Sequence, residues 1–250
     1  MLKRLLPIGV AIAALAVAAP GFAQTCENFG STGSPAAGTV AAGTLPQGGS
    51  ASGMLFTGFT LSVTNNNGPQ SLIIFDSANP TGNDPDLGSP NQTCAGGGPG
   101  VGTGGEVGMP GENCVPQGNL LVIANDIVDT NTDNIVDDPD DDASGGIIKF
   151  TFDAVVQVLS IDVMDIDSET ASFTLENDGT LKGTVNATDL GNNSVQTLDL
   201  TSFGDITCLE IEFSSSGALS QICFQESATP VDKSSWGKLK KMGTDLVVPE

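Results

Sequence analysis

The sequence contains no histidine and no tyrosine, a single tryptophan, and only 8 Lys+Arg against 30 Asp+Glu in 250 residues. Each scarcity removes a class of function. Without histidine there is no Ser-His-Asp triad, no Cys-His pair and no HExxH zinc site. A formal net charge of −22 repels phosphate backbones, so nucleic acid is excluded as a partner. Sugar-binding platforms commonly stack rings on Trp or Tyr, yet the one tryptophan, Trp236, lies close to the C-terminus and most phenylalanines fall at expected core positions. After the first 23 residues no apolar run is long enough to span a bilayer, and no membrane insertion is expected once that segment is removed.

The N-terminus carries Lys3-Arg4, an apolar stretch from Leu5 to about Ala19, and Gly21-Phe22-Ala23 before Gln24. This reads as a signal peptide over residues 1–23 with cleavage after Ala23. Pro7 and Pro20 interrupt the stretch, which is shorter than a membrane anchor needs. Gln24 and Thr25 ahead of Cys26 do not suit lipidation, so the mature chain is expected to be secreted or at the cell surface, in extracellular or periplasmic space. Residues 24–226 contain only two cations, Lys149 and Lys182, whereas residues 227–250 hold four lysines against Asp232, Asp245 and Glu250. The expected organisation is one acidic domain over 24–226 followed by a basic tail over 227–250. That tail either docks on the acidic body or serves as a sorting or attachment signal.

All five cysteines follow the signal, and in an exported protein they are expected to be oxidised where geometry permits. Cys94 and Cys114 bracket nine glycines, a flexible loop that gains much from closure. Cys208 and Cys223 would lie directly opposite each other if residues 214–217 form a hairpin turn with Phe213 facing Ala218. That pairing leaves Cys26 unpaired; a Cys26–Cys223 bridge between first and last strands is the alternative.

From residue 54 onward, short runs rich in β-branched and aromatic residues alternate with Gly, Pro, Asn, Asp and Ser clusters. The runs are 54–64, 70–76, 119–125, 146–153, 155–165, 171–176, 180–187, 195–200, 206–213 and 218–224. Ile148, Phe150 and Phe152 alternate with Lys149, Thr151 and Asp153, and Leu209, Ile211 and Phe213 with Cys208, Glu210 and Glu212. One face is buried and the other solvated, as in antiparallel sheets. About ten or eleven strands with no helical stretch between them predict an all-β fold, an antiparallel two-sheet sandwich that is jelly-roll-like. Residues 31–52 are too weakly patterned to place.

Candidate chemistry lies in acidic loops. In the segment from Asp129 to Asp140, oxygen ligands fall at Asp129, Asn131, Asp133, Asp137 and Asp140, with the Ile135 carbonyl available between them. Alternate side chains of a tightly turned loop converge on one hard cation, so Ca²⁺ is the expected ligand. The spacing resembles the calcium loops of EF-hands, dockerins and thrombospondin type-3 repeats, although Asn134 stands where glycine is usual and Asp140 replaces glutamate, as in dockerins. A second candidate cluster, Asp76, Asn79, Asp84 and Asp86, sits in a proline-stiffened loop, and Asp140-Asp141-Asp142 could share a cation with it. Asp162, Asp165 and Asp167 read as the solvated edge of their strand. The sequons at Asn91, Asn186 and Asn192 read as chance matches in a bacterial secretion context.

The run Ile74-Phe75-Asp76-Ser77-Ala78-Asn79-Pro80-Thr81-Gly82 with Asp84, Asp86 and Leu87 is one of several local patterns. The others are Ser144-Gly145-Gly146-Ile147-Ile148-Lys149-Phe150-Thr151-Phe152, then Asp165-Ile166-Asp167, then Ser216-Gly217-Ala218-Leu219 leading to Ile222-Cys223-Phe224. Together with Cys26-Glu27-Asn28-Phe29 they resemble a group of secreted bacterial β-sandwich proteins and surface modules. The resemblance implies an extracellular sandwich and no activity. The expected function is a non-catalytic, calcium-stabilised extracellular module for surface, matrix or adhesive contact, its partner an extracellular polysaccharide or surface protein. The alternatives are a polysaccharide-binding module and a carboxylate-dependent glycosidase or lyase.

Overall fold

The structure, a computed structural model, describes residues 23–29, 50–51, 56–81, 83–132 and 136–227. The segment up to residue 22, where a signal peptide is expected, most of 31–52, the loop residues Asp133, Asn134 and Ile135, and the segment from residue 228 lie outside the described residues. Among those described there is no α-helix, only two short 3-10 turns, Pro85–Leu87 and Thr201–Phe203.

Eleven strands follow in chain order: β1 Gln24–Glu27, β2 Ser50–Ala51, β3 Phe59–Asn65, β4 Leu72–Asp76, β5 Asn119–Ile123, β6 Gly146–Met164, β7 Ala171–Asn177, β8 Thr180–Asn186, β9 Val195–Asp199, β10 Asp205–Phe213 and β11 Ala218–Glu226. Every ladder between them is antiparallel. The first half of β6 lies between β3 and β10, which builds one sheet in the order β2-β3-β6-β10-β7-β8. Its second half lies between β11 and β9, which builds the other, β4-β5-β11-β6-β9, with β1 alongside the end of β11. The chain crosses repeatedly between sheets, at β3 to β4, β8 to β9, β9 to β10 and β10 to β11, and the fold is the antiparallel, jelly-roll-like sandwich.

Burial explains the pairing. Phe59, Leu61 and Val63 of β3, Phe150 of β6, Phe173 of β7 and Ile211 of β10 meet Ile74, Leu121, Ile161 and Ile222 from the opposite sheet in one continuous core. Strand β6 is one continuous element where the sequence suggests two. Its alternation breaks at Asp153, Ala154 and Val155, all exposed, where the strand passes from one sheet to the other. Neither glycine nor proline stands at those positions, so the ladder bends there without ending.

β4 and β5 differ from the rest because both their faces are buried. Ile73 and Phe75, with Leu120, Val122 and Ala124, form a second apolar cluster on the outer face of the β4-β5-β11 sheet. Leu87 from the 77–118 loop and Val136 from the 125–145 loop cover it. The continuous apolar runs Leu72–Phe75 and Leu120–Ile123 are the sequence signature of such two-sided burial.

The disulfide expectation needs one correction. Cys94 is bonded to Cys114, but Cys223 is bonded to Cys26, and Cys208 is a free, buried thiol. The Cys208–Cys223 pairing assumed that β10 and β11 form a hairpin. Instead residues 214–217 carry the chain from one sheet to the other, and the two strands share no ladder. Cys208 stands opposite Thr151 and Glu176, while Cys223 faces Cys26 across the β1–β11 ladder.

Candidate metal centre

Three segments distant in sequence bring carboxylates to one end of the second sheet. Asp84 immediately precedes the Pro85–Leu87 turn, and Asp140 and Asp141 lie where the second acidic loop returns to bridge Ala124. Carboxylate oxygens of Asp84, Asp140 and Asp141 all lie within 4.8 Å of one another. With Asp86, Asn125, Asp165 and Ser216 they line a pocket of about 190 Å³.

Each member is held from behind. The Asp141 Oδ2 accepts the Gly217 N–H at 2.7 Å, and the Asp84 Oδ2 accepts the Asp141 N–H at 3.3 Å. Asn125 donates its amide to Asp140 Oδ2 at 3.1 Å. A β-carbon at Gly217, whose φ is 145°, would come within 2.8 Å of the Phe213 ring, so only glycine places that N–H on Asp141. At the end of β6, Asp165 takes a left-handed conformation, φ 63°, which short polar side chains tolerate. That turn carries its carboxylate inward, where Oδ1 accepts the Asn193 N–H at 2.6 Å. Asn193 is itself fully buried and donates its amide to the carbonyls of Asp86 and Gly88, tying the Asp84–Asp86 loop to Asp165. Thr81 Oγ1 donates to the Pro139 carbonyl at 2.7 Å and joins the two acidic loops.

Among the described residues, the electrostatics are those of crowded acids with no cation beside them. Burial first, then hydrogen bonding with Asp140 and repulsion from Asp141 and Asp140, drive the Asp84 carboxyl far above the usual carboxylate range. Burial also pushes Asp141 up to about 7, with Asp165, Asp140 and Asp86 adding repulsion. Asp165 is pushed up to about 7 by burial and then by Asp86, Glu169 and Asp167, and Asp86 is raised mainly by burial. Lys149 pairs with Glu210 at 3.5 Å on the outer face of the other sheet, so it does not offset this charge. The donors are all oxygens, with no imidazole or thiolate, which is the ligand set of a hard cation such as Ca²⁺ or Mg²⁺. The cluster could hold a metal ion.

The sequence-derived candidates divide between this site and elsewhere. Asp84, Asp86 and Asp140 come together here. Asp76 instead accepts the Ala78 N–H and the Asn79 side-chain amide, closing its own turn. Asp137 Oδ2 accepts the Thr130 N–H and hydroxyl, bonds that hold its carboxyl below the usual range. Asp129 is half-buried and Asn131 exposed, both outside the Asp84–Asp140–Asp141 cluster, and Asp133 and Ile135 lie outside the described residues. Asp165, expected on a solvated edge, is buried and faces the pocket, a correction that follows from its left-handed turn. Its Asp-x-Asp setting looked like an exposed strand end, and only the preceding buried Val163 and Met164 hint at the inward turn. Asn91 is fully buried, so its sequon is not accessible in the folded protein.

No family model and no curated protein matches this chain. Among solved structures, a truncated AlyQ with CBM32 and alginate lyase domains overlaps 35% of this chain at 16% identity and TM-score 0.24. Native recombinant discoidin II of Dictyostelium discoideum overlaps 44% of it at 11% identity and TM-score 0.27. The overlaps span 26% and 51% of those chains, and likeness of this extent carries no argument about ligand or activity.

Proposed function

We propose that this chain is a non-catalytic, calcium-stabilised extracellular β-sandwich module for contact with a surface, a matrix or an adhesive partner. The observation that carries the reading is the convergence of Asp84, Asp140 and Asp141, with Asp86 and Asp165 beside them, in a pocket that no cationic side chain lines among the described residues. Like charges gathered by burial cost folding free energy unless a cation screens them. A divalent ion held by these oxygens turns that cost into a clamp across three loops.

Two features favour ligation over catalysis. The pocket, about 190 Å³, is smaller than the roughly 300–1,000 Å³ of ordinary small-molecule sites. Its carboxylates are also engaged with backbone N–H groups that fix them in place, as ligands are fixed, with Asp141 on Gly217 and Asp165 on Asn193. Two disulfides suit an oxidising, extracellular setting, and no helix among the described residues is long and apolar enough to cross a membrane.

The test is calcium titration by calorimetry, together with elemental analysis of protein equilibrated by dialysis against millimolar calcium. About one calcium per chain, lost on Asp84→Ala, is the expected result. Protein that holds no divalent metal and releases no heat on titration would remove the reading.

A further inference from the structure

A second concavity lies on the outer face of the β11-β6-β9 strands and shares no residue with the acidic cluster. Gln221, Asp162 and Thr197 stand in one row across the three strands, since Gln221 pairs with Asp162 and Asp162 with Thr197. Between Leu219 and Gln221 the β11 ladder slips by one residue against β6, so Ser220 is the extra residue of a β-bulge. Bulges re-aim side chains, and here both Ser220 and Gln221 line the concavity while Leu219 and Ile222 stay in the core. Ser220 is 2% exposed, and its Oγ has no hydrogen-bond partner among the described residues. A buried hydroxyl left unsatisfied is costly, and such groups call for a partner from outside the chain.

The volume is about 460 Å³, within the range of ligand sites and more than twice that of the acidic pocket. Its walls are preformed. Gln196 exchanges two hydrogen bonds with the Thr188 backbone, and Gln117 is tied to Ser89 Oγ and to the Val115 carbonyl. Val115 and Pro116 follow Cys114 directly, so the Cys94–Cys114 bridge anchors that wall, and Val115 is 70% exposed above the groove. Ligand chemistry follows from these groups. Amides, hydroxyls and a carboxylate offer donors and acceptors on one side, with a small aliphatic strip on the other. Asp162 and Glu112 repel anions.

We propose that this groove binds a neutral sugar unit of a polysaccharide, its hydroxyls meeting Ser220 Oγ, Asp162 and Gln221 and its C–H face lying on Val115 and Pro116. Among the described residues no aromatic ring lines the groove, so affinity comes from hydrogen bonds and a rigid groove, and avidity along a repeating polymer supplies the rest.

The experiment is calorimetric titration, with calcium present, of gluco-, manno- and galacto-configured neutral tetrasaccharides, and of spermidine as a cationic alternative. At least one tetrasaccharide should bind. Ser220→Ala should weaken that binding roughly fivefold to tenfold, as should Gln221→Ala, the range expected for one lost hydrogen bond. Because the Ser220 hydroxyl makes no internal bond, Ser220→Ala should melt no lower than the wild type, which separates a ligand contact from a structural one. Binding of none of the three sugars, undiminished binding in both variants, or binding of spermidine alone would overturn the proposal. Sugar binding by a protein with no calcium response would leave the groove standing and remove only the cation reading.

Discussion

Replacing Asp141 with asparagine tests the electrostatic argument at its centre. The substitution keeps an oxygen for the Gly217 N–H, bonded at 2.7 Å, and removes the charge. Burial holds the folded carboxyl near 7, against 3.8 when exposed. A group whose folded value is raised stabilises the fold fully below its unfolded value and loses that contribution as pH rises through the folded one. Without a cation, stability should therefore fall between pH 4 and pH 7. At about 1.36 kcal/mol per pH unit, ionised Asp141 costs on the order of 4 kcal/mol at neutral pH, an upper figure that the neighbouring carboxylates share. Asp141→Asn should thus melt higher than the wild type in chelator at pH 7.5. Calcium should close much of that gap by raising the wild type and not the variant. Extracellular sites bind at roughly 10⁻⁴–10⁻³ M, and ligand at about 100 times its dissociation constant contributes about 2.7 kcal/mol. For a domain of this size that is a rise of roughly 5–10 °C. Differential scanning calorimetry of both proteins, with 10 mM calcium and with chelator, reads all four values. If the variant melts below the wild type in chelator, or gains as much from calcium, the buried-charge account is refuted.

Other consequences are simpler to read. Asp84→Ala should abolish the calcium-dependent rise in melting temperature while Asp129→Ala leaves it intact; the opposite result would place the cation in the 129–140 loop alone. Non-reducing peptide mapping of exported protein should recover Cys26–Cys223 and Cys94–Cys114, with Cys208 alkylated only after denaturation, because that thiol is buried and burial raises its pKa. Asn193→Ala removes a fully buried amide that donates to Asp86 and Gly88 and accepts from Asn91, and should cost about 3 kcal/mol or more by chemical denaturation. A loss below about 1 kcal/mol would show that this buried network does not hold the loops.

The strands were legible because their signal is local. Period-two alternation in β3, β7 and β10, and the unbroken apolar runs of β4 and β5, state which faces are buried without reference to partners. What failed was pairing. Phe213 and Ala218 flank a short turn-like segment and read as a hairpin, yet Ser214 and Ser215 instead engage Thr170 and Ala143 as the chain changes sheets. The register that followed from a hairpin then placed Cys208 opposite Cys223, and the same misreading left Cys26 alone. Likewise the acidic residues announced oxygen chemistry, but their grouping depended on which loops fold over which strand. Asp76 and Asp137 were locally satisfied by turns of their own, and Asp165 was drawn in by a backbone turn that no side-chain pattern encodes.

The outer cluster on β4 and β5 explains how so acidic a site can form. Leu87 sits one residue after Asp86, and Val136 four residues before Asp140; both are almost fully buried against the same apolar face. Burying such side chains contributes roughly 1.5–3 kcal/mol each, enough to oppose the repulsion among the carboxylates they bring along. The apolar anchors thus fix where the loops lie, and the hydrogen bonds from Asn125, Gly217 and Asn193 fix where the carboxylates point. A cation is then not needed to assemble the loops, only to relieve the charge that assembly has concentrated. That division of labour is why the sandwich is expected to remain folded in chelator while its acidic end loosens, and why removing one charge at Asp141 should do in part what calcium does.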